Sequence, residues 1–296
     1  MKILITGASG LYGSKLAELA RTKDYIVYSG YNQHKPAYGT PIKFEISDKK
    51  SVETAFRKTK PHVVVHAAAL TNVDECENNK ELAWKTNVDG TRNIIEAAKQ
   101  HRAFPLLIST DYVFNGKKGL YKETDQTDPI NYYGLTKLKA EEQVKELVDQ
   151  HCIARTSVIY GSTPATGKIN FALWLINKLK NNQQAKIVID KWNSPTLNTN
   201  LASMTTEIIE RKLTGIFHLS GATRISRLDF AKQIANTFHL NSNLIKPTKP
   251  TDFGWKAKRP KDSSLNTTKA QQTLENKPLQ IKQALERLKQ EITFKS

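Results

Sequence analysis

Short, continuous apolar segments alternate with longer amphipathic segments through the first half of the chain. Such segments are typical of strands buried on both faces, and the amphipathic stretches show helical spacing. The predicted strands cover residues 2–5, 25–28, 63–69, 106–109 and 152–159, and the predicted helices lie near residues 12–22, 50–59, 80–100 and 132–150. This alternation predicts an α/β fold of the Rossmann type, with a doubly wound parallel sheet.

The pattern changes after about residue 160. Helices are predicted near residues 170–182, 201–213, 228–238 and 280–292, with short strands at 186–189 and 216–219. Residues 243–264 have little periodicity, which predicts a long ordered loop or lid. We therefore predict a dinucleotide-binding domain over residues 1–160, to which residues 196–213 return. Residues 161–296 are predicted to form a smaller C-terminal α/β lobe that binds the substrate.

Three glycines follow the first predicted strand at intervals of three residues: Gly7, Gly10 and Gly13. Glycines in a turn between a strand and a helix let the backbone approach a pyrophosphate, and the helix N-terminus points free N–H groups at it. The context of strand, loop and helix favours a dinucleotide site over an unrelated turn. The residues expected to contact the cofactor here are Gly7, Ser9, Gly10, Leu11 and Tyr12.

The segment after the second predicted strand indicates which dinucleotide binds. An NAD site usually has an acid there, but no acid occurs between Tyr25 and Phe44. The segment contains Asn32, His34 and Lys35 instead, and a lysine can neutralise a 2′-phosphate. NADPH is therefore the predicted cofactor, with NADH as the alternative. The small residues Ala67, Ala68 and Ala69 leave room for it to cross the sheet.

Charge and cysteine content narrow the class of protein. The 296 residues carry a net charge of +17, and residues 246–296 hold twelve Lys and Arg against five acids. An anionic partner or a solvated lysine-rich surface explains this excess, and no nucleic-acid motif is present. Cys76 and Cys152 have no metal-binding spacing. We expect a cytoplasmic protein with no metal and no membrane contact, and a nucleic acid bound through the basic C-terminal half is the less favoured partner.

Two Tyr-x-x-x-Lys patterns occur, and only one lies on a predicted helix. Tyr31 and Lys35 fall in a predicted loop, whereas Tyr133 and Lys137 are one helical turn apart on one face. A tyrosine with a pKa of about 10 transfers protons poorly near neutrality, and a neighbouring ammonium lowers that pKa. Tyr133 and Lys137 are therefore the predicted proton-transfer pair, and both should also contact the cofactor.

A hydroxyl stands at the carboxyl end of the fourth predicted strand, where parallel sheets bind ligands. Thr110 at this position can donate a hydrogen bond to a carbonyl oxygen and stabilise the charge that develops on it. The alternative is that the Thr110 hydroxyl only forms hydrogen bonds with the backbone of the following loop. With Tyr133 and Lys137 following on the next predicted helix, we predict that Thr110 is catalytic.

Four segments carry a family resemblance: residues 109–116 (STDYVFNG), 133–137 (YGLTK), 154–161 (ARTSVIYG) and 259–265 (RPKDSSL). Together they resemble the dTDP-4-dehydrorhamnose reductase (RmlD-like) family of extended short-chain dehydrogenases/reductases, over residues 1 to about 272. The resemblance implies that Tyr133 donates the proton, Lys137 assists it, and Thr110 and Asp111 hold the sugar. It also places Glu45 and Ile46 at the adenine and Asn87 on the cofactor side.

The resemblance departs from the family at one substrate position. The family has a tryptophan where this chain has Val158, and Trp192 could supply an aromatic ring from another loop. Arg259 matches the family's Arg-Pro motif and is predicted to contact a nucleotide diphosphate. A nucleotide-linked 4-keto sugar is therefore the expected substrate class, and rhamnose itself is less firmly implied.

Other functions remain open on the same residues. Related dehydratases have a glutamate where this chain has Tyr112, which favours reduction over dehydration. A nucleotide-sugar epimerase would use the same Tyr133 and Lys137. A regulatory role like that of the methionine adenosyltransferase β subunit, which resembles this family, is a third alternative. A homodimer is compatible with each of these functions.

Overall fold

The described part of the structure, a computed structural model, covers residues 1–163 and 169–293. Its strands are β1 (Lys2–Thr6), β2 (Ile26–Tyr31), β3 (Thr40–Lys43), β4 (Val63–His66), β5 (Phe104–Thr110), β6 (Cys152–Thr156), β7 (Ile159–Tyr160), β8 (Ala185–Val188), β9 (Trp192–Asn193), β10 (Thr196–Leu197), β11 (Gly215–His218), β12 (Ile225–Ser226) and β13 (Ile245–Thr248).

The α-helices pack around these strands. They are α1 (Leu11–Arg21), α2 (Lys49–Thr59), α3 (Val73–Asn78), α4 (Lys80–Trp84), α5 (Gly90–Gln100), α6 (Tyr132–Leu147), α7 (Phe171–Lys180), α8 (Asn198–Arg211), α9 (Arg227–Thr237), α10 (Thr268–Thr273) and α11 (Ile281–Thr293). A π-helical turn over Lys85–Asp89 joins α4 to α5, so the single helix expected over residues 80–100 is interrupted there.

Seven parallel strands form the central sheet in the order β11-β6-β5-β4-β1-β2-β3. The chain builds outward from β1 in one direction and then from β4 in the other. This arrangement confirms the predicted doubly wound fold, and it opens a crevice beyond the carboxyl ends of β1 and β4. The residues that follow these two strands are therefore placed to meet a ligand.

Apolar layers cover both faces of this sheet. One layer packs α1 and α8 against it, with Leu16 and Ile208 fully buried. The opposite layer includes Phe56 of α2 and Ile94 of α5, also fully buried. Burying a large aliphatic or aromatic side chain contributes about 1.5–3 kcal/mol. These two layers fix the position of the crevice.

A second hydrophobic core lies in the C-terminal part of the chain. It is built from α7, α9 and α11, with Leu175, Phe230 and Leu285 at 0% exposure. Residues 243–264 were expected to form a loop, but they contain β13, which pairs in parallel with β8. The strand is short and contains Pro247, and this explains why the sequence pattern did not reveal it.

One strand and two strand ends show how the sheet departs from the sequence expectation. The short strand β3 was not predicted, because Ile42 is its only buried residue. Strand β4 ends at His66 rather than at residue 69, since the Thr6 hydroxyl accepts the N–H groups of Ala67 and Ala68 at 3.1 Å and draws them out of the sheet. Strand β6 ends at Thr156, before β7 enters a separate two-stranded sheet with β10.

Candidate active site at the carboxyl edge of the sheet

The chain between β1 and α1 is packed too closely to accept a side chain at Gly7 or Gly13. Gly7 has a φ of +67°, and a Cβ on it would lie 2.8 Å from the backbone nitrogen of Ala68. A Cβ on Gly13 would lie 2.3 Å from the carbonyl oxygen of Gly7. Gly10 precedes α1 without a side-chain cap. The free N–H groups at the start of this helix are therefore available to an anion in the crevice.

The side chain of Tyr12 does not face this turn. It is buried between α1 and α8, where its hydroxyl donates to Thr205 at 2.8 Å. Burial raises the pKa of Tyr12 above its usual range. Of the residues expected to contact the cofactor, Tyr12 could therefore take part only through its backbone, whereas Ser9, Gly10 and Leu11 are partly exposed beside the crevice.

The segment after β2 lies beside Glu45, the acid that the family resemblance places at the adenine. Asn32, His34 and Lys35 are exposed, as a site for an adenosine phosphate requires. Strand β3 runs parallel to β2 and ends beside it, which brings the carboxylate of Glu45 into a hydrogen bond with the side-chain amide of Asn32. Ser47 also donates to Glu45 at 3.1 Å. A carboxylate and a lysine therefore both lie near the expected ribose.

Ile46 and Asn87 have structural partners on the cofactor side. The side chain of Ile46 is buried against Gly90, and its carbonyl accepts from Asn93 at 3.0 Å. The side-chain amide of Asn87 accepts the backbone N–H of Leu70 at 2.8 Å and donates to the carbonyl of Leu70 at 3.1 Å. It also donates to the Thr136 hydroxyl at 3.0 Å. Asn87 thereby connects Leu70 to helix α6. Leu70 directly follows Ala67, Ala68 and Ala69, which are partly exposed.

Helix α6 presents Tyr133 and Lys137 beside the end of β5. Asn131 caps the helix by accepting the N–H of Gly134 at 2.9 Å. A Cβ on Gly134 would lie 2.2 Å from the carbonyl oxygen of Tyr112, so only glycine allows this close packing. The Thr110 hydroxyl lies beside the Tyr133 phenol. The structure therefore brings Thr110 close to the helix that carries Tyr133 and Lys137.

Burial dominates the electrostatics of these residues. It raises the pKa of Tyr133 above its usual range, and the neighbouring Thr110 hydroxyl opposes the rise. Burial lowers the pKa of Lys137 to about 8, with the charge of Glu141 opposing the change. The lowering of the Tyr133 pKa by Lys137 that the sequence suggested is not seen, because removing water from the phenol disfavours its ionised form more strongly.

Asp111 lies at the junction of the two cores. Its carboxylate accepts the hydroxyls of Thr110 at 3.1 Å, Ser157 at 2.8 Å and Ser263 at 2.5 Å. Burial raises the pKa of Asp111 to about 6, although these hydrogen bonds favour the ionised form. Because Ser263 follows the proline-containing segment 243–260, Asp111 ties that segment to the carboxyl edge of the sheet.

A cavity of about 290 Å³ opens next to Tyr112, which packs edge-on against Tyr133 with ring centroids 6.0 Å apart. Trp192 lines the cavity, whereas Val158 is not among its lining residues. Val158 instead has a φ of +40°, an unfavourable value for a β-branched residue. Trp192 is thus the aromatic side chain that meets this cavity.

Arg259 lines the same cavity but already has a partner. Its Nη2 lies 2.9 Å from a carboxylate oxygen of Asp74, and Asp74 also accepts the N–H groups of Lys256 and Ala257. The Nη1 atoms of Arg259 and Arg227 are buried without hydrogen-bond partners. Buried polar atoms of this kind normally have partners, and both arginines line the cavity.

Several cavity residues were not found by sequence reasoning. Lys191, Arg227 and Trp255 line the cavity together with the predicted Arg259. Each comes from a different part of the C-terminal half, and no local motif marks any of them. Lys191 donates to the carbonyl of Arg259 at 3.0 Å, which joins two of these segments. The cavity therefore has a cationic wall with aromatic rings.

A buried ion pair lies behind the helix that carries Tyr133. Arg155 on β6 donates to both oxygens of Glu141 on α6, at 2.9 and 2.7 Å, and the two side chains are 2% and 0% exposed. Ser109 donates to the same carboxylate at 2.5 Å. This arrangement holds α6 against β5 and β6 from below the site.

In residues 1–163 and 169–293, no three His, Cys, Asp or Glu side chains are grouped so that they could hold a metal ion. No helix in that part of the chain is both long and apolar enough to span a bilayer.

Comparisons with known proteins agree with this geometry. The sequence model for the RmlD substrate binding domain matches residues 1–294. A dTDP-4-dehydrorhamnose reductase of Aggregatibacter actinomycetemcomitans is 32% identical over 300 residues, covering 97% of this chain and 98% of that protein. The methionine adenosyltransferase 2 subunit beta of Bos taurus is 29% identical over 276 residues, covering 90% and 81%.

A solved structure extends the agreement to three dimensions. The dTDP-4-dehydrorhamnose reductase of Bacillus anthracis, determined in complex with NADP, has a TM-score of 0.88 and 31% sequence identity. The match covers 98% of this chain and 99% of that one.

Proposed function

The chain belongs to the RmlD substrate binding domain family, and from this premise we propose that it reduces the 4-keto group of a nucleotide-linked sugar with NADPH. It is an NAD(P)-dependent oxidoreductase. The observation that carries the substrate proposal is the cavity beside Tyr112 and Tyr133. Its wall contains two guanidinium nitrogens without partners, which is what a nucleotide diphosphate next to a reducible sugar requires.

The residues around the crevice fit a nicotinamide dinucleotide. A Cβ at Gly7 would collide with the backbone of Ala68, so glycine lets the ends of β1 and β4 lie close together. The N-terminus of α1 offers N–H groups to the pyrophosphate. We propose that Gly7, Ser9, Gly10 and Leu11 hold the pyrophosphate and that Ala67, Ala68 and Ala69 line its path. When bound, the cofactor supplies the hydride.

Tyr133 supplies the proton in this proposal. Its raised pKa keeps the phenol protonated at neutral pH, so the proton is present for transfer to the carbonyl oxygen of the substrate. Lys137 lies one turn further along the same helix, and its ammonium favours the phenolate left behind after transfer. Thr110 lies beside the phenol, and its hydroxyl favours the ionised form of Tyr133.

The test of this function is a substrate screen. NADPH oxidation would be followed by absorbance with nucleotide-linked 4-keto sugars that differ in nucleotide and sugar, and the reduced sugar would be identified by mass spectrometry. Oxidation with at least one such substrate supports the proposal. Failure with all of them, while NADPH still binds, would exclude this substrate class.

Lys35 should set the preference between the two dinucleotides. Its ammonium can bond the 2′-phosphate of NADPH, so Lys35→Ala should weaken NADPH binding about 10-fold and leave NADH binding unchanged. Glu45→Gln removes the neighbouring negative charge and should strengthen NADPH binding. Fluorescence titration would measure each affinity, with the exposed Lys58→Ala as control. Tighter binding of NADH than NADPH by the unaltered protein would contradict this assignment.

Arg259 should act on the diphosphate of the substrate. Replacing it with alanine should raise KM for the sugar nucleotide about 10-fold and leave NADPH affinity intact, because a charge-assisted hydrogen bond is lost. Asp74→Ala is the matched control, since it breaks the same ion pair and leaves the guanidinium in place. If both variants raise KM equally, Arg259 holds the segment and does not bind substrate.

A second candidate is favoured by one comparison. The match to a methionine adenosyltransferase β subunit extends over 90% of this chain, so a role as the partner of a catalytic subunit is retained. Co-purification of this chain with a methionine adenosyltransferase catalytic subunit in a fixed stoichiometry would support it. Reduction of a sugar nucleotide by the purified chain alone would favour the reductase.

A further inference from the structure

The hydroxyl of Thr6, at the end of β1, holds the start of the segment that follows β4. Its Oγ1 accepts the backbone N–H groups of Ala67 and Ala68, each at 3.1 Å. The same oxygen lies 2.7 Å from Nδ1 of His66, the last residue of β4. A hydroxyl has one proton and two acceptor lone pairs, and the two N–H groups occupy both lone pairs. Thr6 therefore donates its proton to His66 Nδ1.

The other ring nitrogen of His66 has a partner that fits this direction. Because Nδ1 accepts a hydrogen bond, the proton of the neutral ring is on Nε2, which lies 3.1 Å from Thr91 Oγ1 on α5. The Thr91 hydroxyl in turn donates to the carbonyl of Asn87 at 2.7 Å. Each proton in this series has one acceptor. The hydrogen bonds therefore select one tautomer of His66, the form protonated on Nε2.

A doubly protonated imidazole does not fit the same contacts. A second proton on Nδ1 would give the Thr6 hydroxyl three donors for two lone pairs, so Ala67 or Ala68 would lose its partner. Thr6 and His66 are each 1% exposed, and water has no access to replace the lost bond. Burial and the nearby charge of Lys137 lower the pKa of His66 to about 3, in agreement with this geometry. The ring is therefore neutral at physiological pH.

We propose that His66 positions the backbone that the dinucleotide crosses. By accepting the Thr6 proton, it leaves both lone pairs of that hydroxyl to hold the N–H groups of Ala67 and Ala68. Both alanines are partly exposed beside the crevice, and a Cβ on Gly7 would lie 2.8 Å from the backbone nitrogen of Ala68. A shift of this backbone would therefore reach the glycine turn as well.

This inference rests on the cofactor site of the proposed function. His66 is buried behind the crevice, so it acts through Thr6 and is a positioning residue for the cofactor. Thr91 supports it from the other side, because its hydroxyl accepts the Nε2 proton and keeps Nδ1 free to accept from Thr6.

The first test detects the ring proton directly. NMR of the ring nitrogens in the unaltered protein should show His66 protonated on Nε2 and unprotonated on Nδ1 throughout pH 6 to 8. A free imidazole takes up its second proton in this range, since its pKa is about 6.5. A proton on Nδ1, or uptake of a second proton by His66 within the range, would overturn the proposal.

Two amide substitutions of different length separate the two ring contacts. In His66→Asn, the side-chain oxygen can lie where Nδ1 was and accept the Thr6 proton. In His66→Gln, the amide is one methylene further out and reaches toward Thr91 instead. We expect His66→Gln and His66→Leu to weaken NADPH binding about 10-fold, and His66→Asn to stay within about 3-fold of the unaltered protein. Fluorescence titration would measure each affinity.

Thr59 provides a matched control for the hydroxyl of Thr6. Both are 1% exposed, but Thr59 ends α2, just before the start of β4, and so lies at the opposite edge of the sheet. Its hydroxyl donates to the carbonyl of Ala55 at 2.8 Å. Thr6→Val and Thr59→Val should both lower Tm, because each removes a buried hydrogen bond. Only Thr6→Val should also weaken NADPH binding, by about 10-fold.

The outcomes distinguish this inference from the proposed reaction. Equal NADPH affinities of Thr6→Val and Thr59→Val, or of His66→Asn and His66→Gln, would overturn the positioning role whatever substrate is reduced. If the expected order of NADPH affinities is found but no sugar nucleotide supports NADPH oxidation, the proposed substrate class is wrong and the role of His66 stands.

Discussion

Replacing Tyr133 with phenylalanine is expected to lower turnover by about 10²–10⁴-fold and to leave NADPH binding unchanged. The substitution removes one hydroxyl and keeps the ring that packs against Tyr112. Since the lost group is the proposed proton donor, the effect should appear in kcat at saturating substrate. Steady-state kinetics and fluorescence titration of NADPH would measure the two quantities separately.

Tyr132 provides the matched control for this change. It precedes Tyr133 on α6, but its ring lies under the ammonium of Lys80 at 5.4 Å, and its backbone N–H donates to Glu77 at 3.0 Å. Tyr132→Phe should therefore change turnover by less than about 3-fold, because it removes no proton-transfer group. A larger loss in Tyr132→Phe than in Tyr133→Phe would show that the wrong tyrosine has been assigned.

Breaking the buried ion pair beneath the site should have the largest effect on stability. Glu141→Leu leaves the guanidinium of Arg155 buried without a charge partner, and this should lower the free energy of unfolding by about 3–5 kcal/mol. The double variant Glu141→Leu/Arg155→Met should recover most of the loss, because apolar side chains of similar volume can replace a buried pair. Urea unfolding would measure both.

An exposed pair on the same helix serves as the comparison. Lys139 and Glu142 lie 2.7 Å apart with side chains 42% and 47% exposed. Water screens such a pair, so Glu142→Gln should change the free energy of unfolding by less than about 1 kcal/mol. If Glu141→Leu costs no more than Glu142→Gln, the buried pair does not stabilise the position of α6.

Most of the central sheet was predictable because its strands can be recognised from short stretches of sequence. Continuous apolar segments revealed β1, β4, β5 and β6, and the glycines after β1 revealed the turn that faces the crevice. Strand β3 was not predicted, because a four-residue edge strand with a single buried side chain shows no detectable alternation of apolar and polar residues. That omission mattered for the cofactor, since β3 is what carries Glu45 to the end of β2.

The cavity was less predictable for a different reason. Tyr133, Lys137 and Thr110 follow a local rule, namely helical spacing or a strand end. Lys191 and Arg227 obey no such rule, and they meet Arg259 only because separate loops and helices of the C-terminal half pack together. Nor could the sequence show that Asp74, over 180 residues from Arg259, would be its partner.

The contact between α1 and α8 has a consequence for the order in which the protein can form during synthesis. Leu16 of α1 shares a buried layer with Leu201 and Ile208 of α8, and the outermost strand β11 ends at His218. When residue 160 leaves the ribosome, α8 and β11 have not yet emerged. The apolar face of α1 and the free edge of β6 are therefore still exposed. At about 5–20 residues per second, the nascent chain carries both exposed for several seconds. In this interval, a chaperone that recognises apolar surface would bind the layer that α1 and α8 later bury between them.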